Sequence, residues 1–179
     1  MRPAASAVVA LFTVGCGSGG LSVDRDYDPD TDFTTFSTYA WSTESGDLSG
    51  SRIADEFTDV RIRRAIDAEL ARAGLERRET GDSALTVGYI ARVSRQVERP
   101  TGDPRAADVD RVGGVYDSSP SDRWFEEGSL EIGLVDVRLQ RVVWKGIATA
   151  ELAPAPDPAE RERRIEQVVR EILKDFPPR

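Results

Sequence analysis

The sequence predicts an α+β fold, a mainly antiparallel β-sheet with two α-helices packed on one face. Only two segments, residues 59–73 and 158–176, repeat apolar residues at the spacing of a core-facing helix. Several other segments alternate apolar and polar residues, which is the pattern of strands with one buried face. Because two helices are too few to connect every pair of strands, a sheet built from parallel βαβ units is not expected.

The first expected elements are two strands separated by a turn. Residues 21–27 and 36–41 are rich in β-branched and aromatic residues, as strands are. Between them, Asp28-Pro29-Asp30 favours a turn, because proline fixes φ and aspartate bonds its own backbone.

The first helix is predicted over residues 59–73, where the apolar side chains fall on one face. Thr58 is placed to cap its N-terminus, and Gly74 is placed to end it in the left-handed conformation. The apolar stripe consists of Ile62, Ile66, Leu70 and Ala73.

Strand patterns and one long polar segment follow this helix. Residues 85–93 predict a strand with one buried face. Residues 94–123 combine prolines and glycines with charges, so we expect a long flexible loop. Residues 128–137 and 142–150 alternate apolar and polar side chains, and the four residues between them are few enough for a hairpin.

The second helix has the clearest local signals. Asp157 supplies an N-cap, Pro158 suits the first helical position, and Glu160 is the acidic partner of a capping box. Apolar side chains then follow the spacing of a core-facing stripe. The stripe is Ile165, Val168, Val169, Ile172, Leu173 and Phe176, and two prolines end the helix.

The amino-acid composition excludes several kinds of catalytic, metal and disulfide site. The 179-residue chain contains no histidine and one cysteine. It therefore cannot form a Ser-His-Asp or Cys-His relay, a His-ligated metal site, an intrachain disulfide or a Cys-rich metal site. The formal charge of −8 argues against nucleic-acid binding, which requires a basic surface. The length fits one domain, here residues 23–179.

The N-terminus has the pattern of an exported protein. Arg2 precedes an uncharged apolar run, residues 4–14, which ends at Gly15-Cys16. The run is shorter than the about 20 residues of a spanning helix. We expect a signal peptide over residues 1–15 and a tether over residues 16–22. A cleaved secreted protein and a misassigned start codon are the alternatives.

The cysteine itself is the expected lipidation site. The residues around Cys16 resemble a bacterial lipobox, in which the peptidase cuts before a cysteine that carries a diacylglyceryl group and is further acylated, for example by palmitate. Gly17, directly after the cysteine, resembles the signal for release to the outer membrane. The expected location is therefore the outer membrane, with the lipid-anchored domain facing the periplasm. Several acyl chains give stable anchoring.

Seven short motifs occur together in the mature chain. They lie at residues 27–33 (YDPDTDF), 38–41 (TYAW), 66–70 (IDAEL), 74–75 (GL), 128–132 (GSLEI), 143–146 (VWKG) and 176–178 (FPP). In combination they resemble the bacterial lipoprotein family called domain of unknown function 4136. The resemblance covers nearly all of the mature chain, apart from the turn at residues 138–141. It implies an envelope lipoprotein with an α+β body and implies no known reaction.

An acidic run is the one candidate for cation binding. Aspartate occupies every second position, at Asp24, Asp26, Asp28, Asp30 and Asp32. A calcium loop would also need a glycine at its sixth position and a glutamate at its twelfth, and neither frame supplies them. We interpret the run as an exposed strand edge and turn, where charges discourage edge-to-edge pairing. No metal or cofactor is expected.

Glu126 and Glu127 are candidates for acid–base chemistry. Neighbouring residues on a strand point to opposite faces, so the two carboxylates cannot form a catalytic pair with each other. No Ser-x-x-Lys or Gly-x-Ser-x-Gly motif occurs. We therefore expect that the protein is not an enzyme.

Aromatic residues suggest a contact surface. Trp144 alternates with small residues, which indicates packing beneath a helix. Trp124 and Phe125, at the end of the long loop, are the candidate contacts for a partner. The arginine clusters around Arg63 and Arg163 are interleaved with acids on helices, and we interpret them as solvated faces.

The sequence thus favours a non-catalytic, lipid-anchored domain that binds or supports another envelope component. Its expected partners are a membrane, through the lipid, and an envelope protein, but no nucleic acid. A carrier of an apolar ligand held between sheet and helices is one alternative, and a carboxylate-dependent hydrolase is another.

Overall fold

The structure is a computed structural model, and it describes residues 20–42, 56–79, 81–98, 123–153 and 157–178. A short 3₁₀ helix, Phe33–Thr35, follows the first strand. The strands and helices are β1 (Ser22–Tyr27), β2 (Thr38–Trp41), α1 (Glu56–Arg72), β3 (Glu76–Arg77), β4 (Leu85–Glu98), β5 (Arg123–Asp136), β6 (Arg141–Glu151) and α2 (Pro158–Leu173).

The described strands form one six-stranded sheet in the order β1-β6-β5-β4-β2-β3. Neighbours from β1 to β4 are antiparallel, whereas β2 is parallel to both β4 and β3. Side chains from both helices join the same buried cluster as the sheet. The predicted α+β architecture, mainly antiparallel with two helices on one face, is confirmed.

One face of the sheet carries the core, and we call it the covered face. Its central positions are fully buried and aligned across three strands. The rows are Val87–Leu134–Trp144 and Tyr89–Ile132–Gly146. The opposite, uncovered face bears the residues between these positions, which alternate with them along each strand.

The position of α2 depends on Gly146. A Cβ at this residue would lie 2.7 Å from Ile172 Cγ2 and 2.7 Å from Trp144 Cη2, so only glycine lets the helix approach this closely. The predicted stripe of α2 faces the sheet, with Val169, Ile172 and Leu173 buried. The N-terminus of α2 is also as predicted, because the Asp157 side chain accepts a hydrogen bond from Glu160 N–H and Pro158 is the first helical residue.

The last turn of α2 is bound by a strand that is distant in the chain. Arg25 of β1 lies on the covered face, opposite Gly146. Its Nε donates to the Ile172 carbonyl oxygen at 2.8 Å, and its Nη2 donates to the Glu171 carbonyl oxygen. A cation at the C-terminal carbonyls is stabilised by the helix dipole and satisfies acceptors that have no partner within the helix.

The structure confirms the predicted end of α1 but not its predicted start. Gly74 adopts a φ of 88°, Leu75 N–H donates to the Leu70 carbonyl oxygen, and Gly74 N–H donates to the Ala71 carbonyl oxygen. These are the bonds of a Schellman motif, as the glycine predicted. Thr58 as N-cap was wrong, since the helix already includes Glu56 and Thr58 is buried within its first turn.

One further expectation changes and another is confirmed. Strand β4 continues to Glu98 and β5 begins at Arg123, so the predicted loop 94–123 is strand at both ends; residues 99–122 lie outside the described residues. The first two strands are not neighbours, because β1 pairs with β6 and β2 pairs with β4. The hairpin between β5 and β6 forms, and the Asp136 carboxylate accepts the N–H groups of Arg138 and Leu139 in its turn.

The close approach at Gly146 can be tested by adding one methyl group. Gly146→Ala should lower the free energy of unfolding by about 1–3 kcal/mol, because Ile172 and Trp144 must move. Gly133→Ala is the matched control on β5, where no heavy atom lies within 4 Å of the added Cβ, and its effect should stay within about 0.5 kcal/mol. Urea unfolding followed by circular dichroism measures both. Equal effects of the two variants would contradict this account of α2 packing.

Candidate functional site

The far ends of β4 and β5 form a two-stranded arm. The two strands pair as far as Glu98 and Arg123, whereas β6 pairs with β5 only from Glu127 onward. Residues 95–98 and 123–126 therefore lie beyond the end of β6, and we call them the arm; at its base the Glu126 carbonyl oxygen still accepts a hydrogen bond from Leu152 N–H at 2.7 Å. A two-stranded ribbon exposes more of each side chain than a strand inside a sheet does.

The arm carries the predicted partner contacts. The Trp124 side chain is 64% exposed, opposite Val97 and on the covered-face side of the ribbon. Phe125 is partly buried and lies opposite Gln96 on the other side. The two aromatic rings thus point to different faces, and Trp124 is the accessible one. Large exposed aromatic residues of this kind are typical anchors of protein interfaces.

The other predicted positions fall in two groups. Cys16, the signal segment and residues 16–19 of the tether lie outside the described residues. The acidic run is described, and its first half is edge strand: Asp24 and Asp26 lie opposite Ile147 and Lys145 on the uncovered face.

The second half of the acidic run makes local hydrogen bonds. Asp28 accepts from Thr31 Oγ1 at 2.7 Å and from Asp30 N–H at 3.1 Å, and it also pairs with Arg141. These bonds, led by that from Thr31, hold the pKa of Asp28 below its ordinary value. Asp32 accepts from Thr34, which likewise lowers the pKa of Asp32. The hydrogen bonds fit an edge and a turn, and among the described residues no three Asp, Glu or Cys side chains are grouped to hold a metal ion.

A polar network that the sequence did not reveal lies beneath α1. Asp67 Oδ1 accepts from Tyr39 OH at 2.6 Å and from Trp41 Nε1 at 3.0 Å, and Asp67 Oδ2 lies 3.2 Å from Arg77 Nη1. Two turns earlier on the helix, Asp59 accepts from the Tyr89 hydroxyl. The two carboxylates thus attach α1 to strands β2 and β4.

Arg63 links the two halves of this network. Its Nε lies 3.0 Å from both carboxylate oxygens of Asp59, and its guanidinium carbon lies 4.5 Å from the Trp41 ring centroid. Trp41 and Tyr89 in turn pack edge to face. The interpretation of this arginine as part of a solvated face was wrong, because its guanidinium stacks on an aromatic side chain of the sheet.

The network does not resemble a catalytic carboxylate pair. Asp59 and Asp67 are eight residues apart on one helix, which corresponds to about 12 Å along its axis. Carboxylate pairs of glycosidases are about 5–9.5 Å apart. Each carboxylate also already accepts hydrogen bonds from aromatic or arginine side chains. The two carboxylates orient α1 on the sheet. In the sequence, the only signal of this role is the spacing of eight residues between two aspartates that have apolar neighbours.

These hydrogen bonds change the acidity of two tyrosines. Burial is the main cause that raises the pKa of Tyr39 well above its ordinary value, and the hydrogen bond to Asp67 adds to it. Burial raises the pKa of Tyr89 in the same way, and Asp59 contributes next. Both hydroxyls therefore stay protonated, as donors, to high pH.

The family model described as Domain of unknown function (DUF4136) matches residues 23–178. The chain belongs to this family. The matched range begins within β1 and runs past the end of α2, so it includes every helix and strand described above. No curated protein matches the DUF4136 chain.

Two solved structures share the DUF4136 fold at low identity. A PDZ domain protein from Parabacteroides distasonis is 16% identical, with a TM-score of 0.52, over 90% of this chain and 37% of that one. The DUF4136 chain thus spans little more than a third of that protein. A PelC dodecamer from Paraburkholderia phytofirmans is 12% identical, with a TM-score of 0.50, over 89% of this chain and 99% of that one. Neither α1 nor α2 is long and apolar enough to cross a membrane.

The two tyrosines predict a loss of stability at alkaline pH. The folded state holds both hydroxyl protons more tightly than the unfolded chain does. The stabilisation from the two hydroxyls is therefore complete below pH about 10 and falls as the pH rises above it. The double variant Tyr39→Phe/Tyr89→Phe should show a smaller decline of the unfolding free energy above pH about 10. Urea unfolding across this pH range measures it.

Tyr27→Phe is the matched control, since Tyr27 is a half-exposed tyrosine of β1. It should leave the alkaline decline of the wild type unchanged. The double variant should also lose stability at neutral pH, by about 3–6 kcal/mol for two hydrogen bonds to carboxylates. An alkaline decline as steep in the double variant as in the wild type would contradict the role given to the two hydroxyls.

Proposed function

We propose that this DUF4136 domain is a lipid-anchored, non-catalytic accessory protein of the bacterial cell envelope. In this proposal it faces the periplasm from the outer membrane and binds another envelope component through the arm. The observation that carries the proposal is Trp124, a large aromatic side chain that is 64% exposed at the end of a projecting ribbon. Exposed tryptophan is costly to hydrate and is used where a partner covers it.

The anchor is supported by the sequence around Cys16. An apolar run too short to span a bilayer leads to a small residue and a cysteine, and polar glycine-rich residues follow. The described domain begins only six residues later, at Ser22. The six residue steps from Cys16 to Ser22 extend to at most about 20 Å, so the domain would work close to the membrane surface.

The types of polar side chain in the protein, and their hydrogen bonds, support a non-catalytic role. The chain has no histidine, and the buried side-chain polar atoms of the described residues all have hydrogen-bond partners. The carboxylates of Asp59 and Asp67 serve α1, which leaves neither of them free as a general base. A hydrolase is therefore less well supported than a binding domain.

A carrier of an apolar ligand is also less well supported. Such a protein needs a cavity between sheet and helices, but α2 approaches the sheet so closely that even a methyl group at Gly146 would clash. The described residues do line one depression, around Asp24, Arg25, Asp26, Lys145 and Ile147. It is open and mainly polar, which does not suit an apolar ligand.

PelC from Paraburkholderia phytofirmans forms a dodecamer. We propose by analogy that this domain also functions as part of an assembly of several copies. The analogy concerns assembly alone and implies no substrate or reaction.

The anchor predicts a change of cell fraction. Cys16→Ser should move the protein from the membrane fraction to the soluble periplasmic fraction, because it removes the thiol that accepts the lipid. Immunoblotting of fractionated cells measures this. Ser18→Ala, two residues later in the same segment, is the matched control and should leave the protein in the membrane fraction. A Cys16→Ser variant that stays with the membrane would contradict the anchor.

The partner surface predicts position-dependent crosslinking. A photoreactive amino acid at position 124 should capture one reproducible envelope protein in cells, because this side chain is accessible at the arm. The same probe at Val142 is the matched control, since that residue is 57% exposed at the opposite end of the sheet. Mass spectrometry identifies the captured proteins. The same abundant proteins captured from both positions would contradict the assignment of the arm.

A further inference from the structure

Strand β4 has a long edge without a partner in the described part of the chain. Strand β2 pairs with it only at Leu85–Val87, and the last described bond across this edge runs from Ser42 N–H to the Val87 carbonyl oxygen, at 2.8 Å. Backbone groups alternate in direction along a strand, so every second residue after Val87 also presents N–H and C=O to this edge. They are Tyr89, Ala91, Val93, Arg95 and Val97.

Among the described strands, β1 forms a second edge, at the other end of the sheet. Asp28 N–H donates to the Val143 carbonyl oxygen of β6 at 3.0 Å, which fixes the direction of the alternating backbone groups. Val23, Arg25 and Tyr27 therefore present their N–H and C=O groups outward. An unpaired edge is a template for pairing with another chain.

The chain directions of the two edge strands allow them to pair in an antiparallel manner. The neighbouring strands β1, β6, β5 and β4 are antiparallel in turn, so β1 and β4 have opposite directions. A second copy placed beside the first in the same orientation would bring its β1 antiparallel to β4. The combined sheet would keep its helices on one face, and the new pair would have the pattern that predominates in this fold.

The charges on the two edges are also complementary. Residues 89–97 include Arg92 and Arg95 and no acidic residue, whereas β1 carries Asp24 and Asp26. Arg92 and the two aspartates all lie on the uncovered face. The one arginine of β1, Arg25, points to the covered face, where the carbonyls of α2 hold it.

We propose that copies of this domain associate head to tail, with β1 of one copy paired antiparallel to residues 89–96 of β4 in the next. With Asp26 opposite Arg92, Arg25 faces Val93 and both residues turn their backbone groups toward the new ladder. Cross-strand pairs of opposite charge on one face then stabilise the register. The tip of the arm, with Trp124, stays outside this contact.

In a single copy, one outward N–H group of the β1 edge is already hydrogen-bonded by a neighbouring side chain. Asp24 Oδ1 accepts the outward N–H of Arg25 at 3.0 Å, so the aspartate occupies a donor that the next copy would need. Pairing exchanges this bond for a backbone bond and releases Asp24 toward Arg92. Because the two surfaces differ, the contact is heterologous, and it generates either a closed ring or an open row of copies. The inference does not depend on the lipid anchor.

Disulfide trapping tests the contact directly. Differently tagged full-length chains carrying Asp26→Cys and Arg92→Cys are mixed in detergent micelles and oxidised, alongside the pair Asp24→Cys and Arg92→Cys. Cysteines join when their Cα atoms lie within about 7 Å. We expect covalent heterodimers chiefly in the mixture of Asp26→Cys with Arg92→Cys, because Asp24 lies diagonal to Arg92 in this register. Each variant alone should give no more dimer than the wild type with its native Cys16.

Two results would overturn the proposal. Arg92→Cys alone giving as much dimer as the mixtures would mean that two β4 edges meet. No heterodimer above the wild-type background in either mixture would mean that β1 and β4 of neighbouring copies do not meet as proposed. Both results leave the test of lipidation at Cys16 unaffected, so the two proposals fail separately.

Charge exchange provides a second measurement. Arg92→Glu should weaken association about tenfold in sedimentation velocity, because an attractive cross-strand pair becomes repulsive. Asp24→Arg/Asp26→Arg should weaken it similarly, and the triple variant should recover most of the loss. Arg161→Glu, an exposed arginine on α2, is the control with the same change of charge. Circular dichroism confirms that each variant folds, and equal effects of Arg92→Glu and Arg161→Glu would contradict the contact.

Discussion

The rest of the structure depends on how closely α2 can approach the sheet. Gly146 provides the space, and Trp144 and Ile172 fill it from either side. Phe176, just after the helix, then packs edge to face on Trp144 with ring centroids 5.5 Å apart. Once α2 is in place, α1 lies against it through ion pairs from Arg64 to Glu162 and from Arg170 to Glu69. These two ion pairs join the first helix to the second, whereas hydrogen bonds from Asp59 and Asp67 orient the first helix on the sheet.

The position of α1 explains where the polar groups of this domain are used. Its two aspartates reach down to the hydroxyl and indole groups of β2 and β4. A polar network contributes most to a fold when every member is satisfied, and this part-buried one joins the helix to two strands in a single orientation. The two carboxylates thereby hold the helix on the sheet. The surfaces left over are edges and the arm, which suit contact with other molecules.

The sequence predicted those features that depend on neighbouring residues. The cap at Asp157, the stripe of α2 and the Gly74 stop are local, and the structure confirms them. The exposure of Trp124 was expected from its place beside a polar segment. The end of β4 was missed, because Ser94, Arg95 and Gln96 bury little, and pairing with β5 rather than burial forms the strand.

Features that depend on distant residues could not be predicted. Nothing near β1 indicates that it pairs with β6, more than a hundred residues later. The acidic network was missed for the same reason, since Asp67 and Tyr39 are joined only in the folded chain. Arg63 looked like a solvated residue because a helical pattern shows which face is charged and not which aromatic ring lies beneath it.

The bond from Arg25 to the end of α2 also has a mechanical consequence. A force applied to the chain before Ser22, and resisted by the rest of the domain, acts along β1 and at right angles to the hydrogen bonds of its six residue pairs with β6. Such shear stretches all the hydrogen bonds at once, whereas peeling would break them one after another. Arg25 adds the last turn of α2 to the same resistance. The first strand is thus built to withstand pulling at its beginning.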